Sequence, residues 1–140
     1  MSRLVALALT VALAAMLGGE RAHAQRQPGW ELRVPERLEL AAGASGQLEM
    51  SIAVDRGLTV SKDGPVMIDL APDPAITIKK HRLGRRDAVD PGADAPRFAI
   101  PMRVQPTGDY SLKLRVRFWL CGSKVCRPID TQRTVTVSAR

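Results

Sequence analysis

Tyr110 to Cys126 reads YSLKLRVRFWLCGSKVC. Its even positions, Tyr110, Leu112, Leu114, Val116, Phe118 and Leu120, are apolar. Its odd positions, Ser111, Lys113, Arg115, Arg117 and Trp119, form a polar and basic face. A period of two is the mark of a strand with one buried face. Cys121 continues the odd phase, which predicts a place off the apolar core. Gly122-Ser123-Lys124-Val125 has the composition of a turn, and Cys126 opens a return leg with Pro128 soon after. In a hairpin with that loop the two cysteines face each other, with Cβ atoms about 4.5–5.5 Å apart, and a disulfide closes after a small adjustment.

The same period extends outward along the chain. Leu48, Met50, Ile52 and Val54 alternate with Glu49, Ser51 and Ala53. Val66, Ile68 and Leu70 repeat the pattern, as do Ile76 and Ile78, then Phe98, Ile100, Met102 and Val104, and finally Val135 and Val137. No segment beyond the N-terminal region has the 3.6-residue period of an amphipathic helix. Turn clusters separate the runs at Asp55-Arg56-Gly57, Lys62-Asp63-Gly64-Pro65, Pro72-Asp73-Pro74 and Pro106-Thr107-Gly108-Asp109. Short strands at this spacing predict an all-β fold, an immunoglobulin-like antiparallel β-sandwich with one apolar face per strand. The inter-sheet disulfide of antibody domains has no counterpart, because its cysteines sit on separated strands and these lie four residues apart.

The N-terminal region carries a different signal. Met1-Ser2-Arg3 is basic, Leu4 to Leu17 is an almost unbroken apolar run, and Ala22-His23-Ala24 is a cleavage pattern of small residues. The run is short for a membrane span, which needs about 20 residues. Residues 1–24 are therefore expected to be a signal peptide cleaved after Ala24, and residues 25–140 a single exported domain without membrane insertion. The first 24 residues hold Arg3, Arg21 and Glu20, one net positive charge, so the +7 of the whole chain becomes about +6. A basic balance favours acidic surfaces in general. Nucleic acid is not expected as a partner, since Trp30, Trp119, Tyr110, Phe98 and Phe118 are the aromatics and no nucleic-acid motif accompanies them. A monomer is expected.

Little besides Cys121 and Cys126 carries chemistry, and three readings of the pair stand open. As a staple it closes a ring of about six residues, worth about 2 kcal/mol in the loop-entropy model, against nearly 5 for a loop of about 100 residues. As an exchangeable redox pair it needs a reachable sulfur and a stabilised thiolate, which Arg117, Lys124 and Arg127 favour through their charge. As a metal site it lacks partners: a closed zinc site takes four ligands, the only histidine after Ala24 is His81, and Met50 and Met102 fall in phase with the core. No metal or cofactor is expected. Asp63, Asp69 and Asp73 are close in sequence, but turns and strand edges often carry aspartate. Trp119 reads as a half-buried strand residue or as a docking surface. Lys79 to Arg97, KKHRLGRRDAVDPGADAPR, is the longest aperiodic stretch and reads as a solvated mobile loop, a lid or a binding loop.

The last third, FAIPMRV (Phe98 to Val104), GDYSLKLRVRFWLCGSKVC (Gly108 to Cys126), Arg127-Pro128 and RTVTVS (Arg133 to Ser138), resembles the N-terminal periplasmic domain of the thiol:disulfide interchange protein DsbD. Gly46 to Leu70 is similar in layout to the early strands of that family. The resemblance implies an immunoglobulin-like sandwich in the periplasm whose pair, here Cys121 and Cys126, takes electrons from a membrane thiol carrier. It further implies that the domain reduces other exported thiol/disulfide proteins through mixed disulfides, without a cofactor. The family has one more residue between its cysteines, an aromatic and two prolines after the second, and an aromatic cap loop. This chain has four intervening residues, then Arg127 and a single Pro128, and residues 79–97 contain no aromatic. The rival expectation is a non-enzymatic exported binding module with a stapled hairpin and residues 79–97 as its contact surface.

Overall fold

The computed structural model describes residues 29–140. The expected signal peptide and its cleavage site lie outside the described residues. Ten strands follow one another: β1 (Trp30–Arg33), β2 (Arg37–Leu40), β3 (Ser45–Val54), β4 (Thr59–Val60), β5 (Met67–Pro72), β6 (Ile76–Thr77), β7 (Arg82–Leu83), β8 (Arg97–Val104), β9 (Gly108–Cys121) and β10 (Cys126–Ala139). A single 3-10 turn, Arg85–Asp87, stands between β7 and β8. One sheet has the order β1-β3-β8-β6 and the other β2-β10-β9-β5-β7, with β4 also paired to β9. This is the sandwich that the alternating runs predict.

Each run buries the face that its alternation assigns to the core. Leu48, Met50 and Ile52 of β3, Phe98, Ile100, Met102 and Val104 of β8, and Leu112 through Leu120 at the even positions of β9 are all buried. Val135 and Val137 complete this layer from β10. Trp30 meets Phe118 edge-on across the sheets, with ring centroids 5.6 Å apart and planes at 87°. Burying side chains of this size stabilises the fold by about 1.5–3 kcal/mol each before entropy is counted.

The sandwich is antiparallel as expected except at one place: β2 runs parallel to β10, from Thr136 opposite Arg37 to Ala139 opposite Leu40. The cause lies in the short link at residues 34–36. It carries the chain from the edge of one sheet to the edge of the other without reversing it, and Pro35 cannot extend a ladder. Arg37 and Asp109 both bond the fully buried Ser138 hydroxyl, which joins β2, β10 and β9 at this end. The strands missed from sequence, β1, β2, β4 and β7, have four residues or fewer, too few to display a period.

The corner between β8 and β9 is held by Tyr110, whose hydroxyl donates to the Thr107 carbonyl at 2.9 Å. A tyrosine that bonds back to the corner before its own strand is a feature of immunoglobulin-type sandwiches. Gly108 makes the corner possible. Its φ is +137°, and an added Cβ would lie 3.2 Å from the Tyr110 hydroxyl. Gly108→Ala is expected to cost about 1–2 kcal/mol, read as a lower urea midpoint.

The free edge of β10 is protected. Thr136 N–H donates to the Glu36 carbonyl, so the even residues of β10 direct their backbone groups toward the β2 side. Pro128 stands at such a position and offers no donor there. Arg133 Nη1 donates to the outward Gln132 carbonyl at 2.8 Å. A missing donor and a capped acceptor both discourage edge-to-edge pairing.

Candidate functional site: the disulfide hairpin and the basic segment beside it

In the ladder of β9 and β10, Cys121 stands directly opposite Cys126. Gly122 N–H donates to the Val125 carbonyl at 2.9 Å, so that pair is the hydrogen-bonded one and the cysteines form the next, non-hydrogen-bonded pair. Side chains approach most closely at such pairs. The Cα atoms of Cys121 and Cys126 are 4.0 Å apart and the two residues form a disulfide. The expected hairpin, its four-residue turn and its bridge are therefore all present.

The surroundings of the two cysteines differ. Cys121 lies off the apolar core, on the face of Arg115 and Arg117, yet it is only 9% exposed. β4 encloses it, because Thr59 pairs with Cys121 from the side opposite Cys126. Cys126 is exposed. The reachable sulfur that the exchange reading needs is therefore left to Cys126, because a two-residue strand, too short to be read from sequence, covers Cys121. The tip carries Val125, 70% exposed, and Lys124.

The cations expected to favour a thiolate are dispersed. Arg117 donates to Asp69 at 2.7 Å, and Asp69 also accepts from Arg82 at 2.6 Å. Arg127 stands opposite Leu120, on the other face of the hairpin from Cys126. Lys124 remains at the exposed tip. Trp119 is an exposed strand residue rather than a half-buried one, although the turn after β4 packs on one side of its ring: a Cβ at Gly64 would come within 2.9 Å of Trp119 Cδ1.

Asp63, Asp69 and Asp73 are not brought together. Asp69 joins the arginine pair, Asp73 Oδ1 accepts from Ala75 N–H at 2.9 Å, and Asp63 lies exposed in its turn. His81 is exposed, with Nε2 3.2 Å from the Ile78 carbonyl oxygen. Met50 and Met102 are buried in the core, as their phase indicates.

Hydrogen bonds to guanidinium groups hold the Asp69 and Asp130 carboxyls below the ordinary value of 3.8, by Arg82 first for Asp69 and by Arg115 for Asp130. The Gly84 backbone N–H and then Lys80 lower Asp87 in the same way. A carboxylate whose folded pKa is depressed contributes stability that is complete above its unfolded pKa and disappears as pH falls through the folded one. The urea midpoint is therefore expected to be flat above about pH 5 and to fall below about pH 4. A midpoint unchanged down to pH 2 contradicts this assignment.

Residues 79–97 are not a free loop. They contain β7 and the 3-10 turn, and Arg85 anchors them. Its Nη2 donates to the Val60 and Ser61 carbonyls, both at 2.8 Å, and its Nη1 to those of Pro91 and Ala93 at 3.0 and 3.1 Å. Val60 N–H donates to the Asp94 carbonyl at 2.9 Å. The segment thus packs along β4, the strand that covers Cys121. Sequence reading missed Arg85, since one arginine among many in an aperiodic stretch carries no local signal.

No protein-family description matches the chain, and no curated protein matches it either. Among solved structures it is similar to murine CRIg, at 8% identity and a TM-score of 0.43, over 80% of this chain and 98% of that one. It is similar to AggA, the major subunit of aggregative adherence fimbriae type I from Escherichia coli, at 9% identity and a TM-score of 0.39, over 84% and 99%. It also matches the native alpha-2-macroglobulin of E. coli at 16% identity and a TM-score of 0.41, covering 79% of this chain but only 6% of the length of that protein.

Proposed function

We propose that the domain is a non-enzymatic binding module of an exported protein, with the Cys121–Cys126 bridge as a structural staple and residues 79–97 as the contact surface. One observation carries this reading: Cys121 is enclosed in the ladder, with Thr59 on one side and Cys126 on the other. An enclosed sulfur is a poor target and a poor leaving group in thiol exchange. The staple holds the tip in register rather than the whole domain. Replacing both cysteines with alanine is expected to cost about 2 kcal/mol while leaving the fold intact by circular dichroism. The deciding measurement is the reduction potential of the bridge. A value below about −300 mV supports the staple, and a higher one contradicts it.

A second reading, thiol:disulfide exchange, is favoured by the exposure of Cys126 and by the resemblance of the hairpin to the DsbD N-terminal domain. In it, an incoming thiolate attacks the Cys126 sulfur, a mixed disulfide forms, and the bond electrons leave on the Cys121 sulfur as a thiolate. A second thiol of the partner then releases reduced Cys126. The partners are exported thiol proteins and a membrane thiol carrier in the periplasm. The variants Cys121→Ser and Cys126→Ser test it. Capture of a partner as a mixed disulfide by Cys121→Ser supports exchange, and capture by neither variant supports the staple.

A further inference from the structure

We propose that the cleft beside the 3-10 turn is a docking site for an acidic, partly apolar peptide segment of another protein. The proposal rests on the binding-module reading and adds the chemistry of the partner. The cleft has a volume of about 580 Å³ and lies between the turn that follows β4 and the segment that follows β7. Lys62, Lys80, Arg82, Arg85 and Arg86 line it, against the carboxylate of Asp87.

Three of these cations are tied to carboxylates: Lys62 to Asp94 at 3.1 Å, Lys80 to Asp87 at 2.7 Å and Arg82 to Asp69 at 2.6 Å. The other two form no ion pair among the described residues, although the Asp94 carboxylate feels the charge of Arg85 as well as that of Lys62. Arg85 is spent on four neutral carbonyls, and Arg86 is exposed, with no hydrogen bond or ion pair among the described residues. The cleft therefore keeps an excess of positive charge held in a fixed geometry. Its remaining lining includes Pro65 and Met67, which supply apolar surface between the charges, with the buried Leu83 at its back.

This arrangement discriminates between anions. A compact inorganic anion binds tightly where several unengaged donors converge on it. Here most of the donors already hold partners, and the positive charge is spread around an apolar floor. An extended peptide matches that layout, because residues two apart face the same way about 6.8 Å from each other and carboxylates can alternate with apolar side chains. The partner is therefore a segment with acidic and aliphatic residues interleaved.

The experiment is calorimetric titration of the purified protein with a synthetic extended peptide of roughly eight residues alternating glutamate and leucine. The comparison probes are the lysine–leucine and glutamate–serine counterparts and inorganic pyrophosphate. Binding of the glutamate–leucine peptide about tenfold or more tighter than all three is expected, with amide shifts at Met67, Leu83 and Arg86. Arg86→Glu is expected to weaken it about tenfold or more. Arg103→Glu, which changes the net charge equally on the other sheet, is expected to weaken it by less than about twofold. Equal binding of the lysine–leucine peptide, equal losses in the two variants, pyrophosphate binding as tight as the peptide, or no binding at about 1 mM overturns the proposal. The bridge is not part of the cleft. A high reduction potential thus removes the staple while leaving the peptide result in force, and failure of the peptide with a low potential removes only this partner.

Discussion

Phe118→Ala is expected to lower the stability of the domain by about 3–5 kcal/mol, the largest loss from any single truncation considered for this chain. Phe118 is 2% exposed and meets Trp30 from the opposite sheet at 5.6 Å, so its removal opens a void at the contact between layers. The surrounding strands are tied into ladders on both sides and collapse into the void only in part. A domain of this size has about 5–15 kcal/mol in total, so a large fraction of the variant unfolds at modest urea. The control is the neighbouring residue. Trp119 is larger but faces outward and is 40% exposed, so Trp119→Ala is expected to cost about 1 kcal/mol. Urea titrations of the two variants test the phase of β9 directly. Equal losses mean that the strand is rotated from the position described.

Arg85→Ala is expected to cost about 2–3 kcal/mol, although Arg85 lies outside the hydrophobic core and pairs with no carboxylate. Its guanidinium is the shared donor for the carbonyls of Val60, Ser61, Pro91 and Ala93, and truncation leaves these acceptors to compete for whatever water reaches them. The loss is local before it is global. Residues 88–96 keep the backbone bond between Val60 and Asp94 but lose the Arg85 bridge to β4, and trypsin is expected to cut after Arg86 faster than in the parent protein. Arg86→Ala is the control, since Arg86 is exposed and its loss is expected to stay within about 0.5 kcal/mol. If Arg85→Ala matches Arg86→Ala in urea and the parent protein in the rate of cutting after Arg86, the four hydrogen bonds do not anchor the segment.

Phe118 and Trp119 are assigned to opposite faces by the alternation of β9 alone, and the structure agrees. The same alternation places Cys121 off the core and opposite Cys126. Arg85 and Arg86 are indistinguishable in sequence, two adjacent arginines in a segment without period. Only the packing of that segment along β4 makes one an anchor and leaves the other exposed. β4 itself went unread for a related reason, since two residues, Thr59 and Val60, cannot show a repeat. Its consequence, the burial of Cys121, was therefore unread as well.

From the residues alone came the class of fold, the core face of each long strand and the closure of the hairpin, because a period of two and a tight turn act between neighbours along the chain. The crossing of β2 to run beside β10, the covering of Cys121 and the gathering of five cations around one cleft were decided in three dimensions. Each joins segments distant in sequence, and the ladders and charge contacts that unite them exist only once the two sheets have packed.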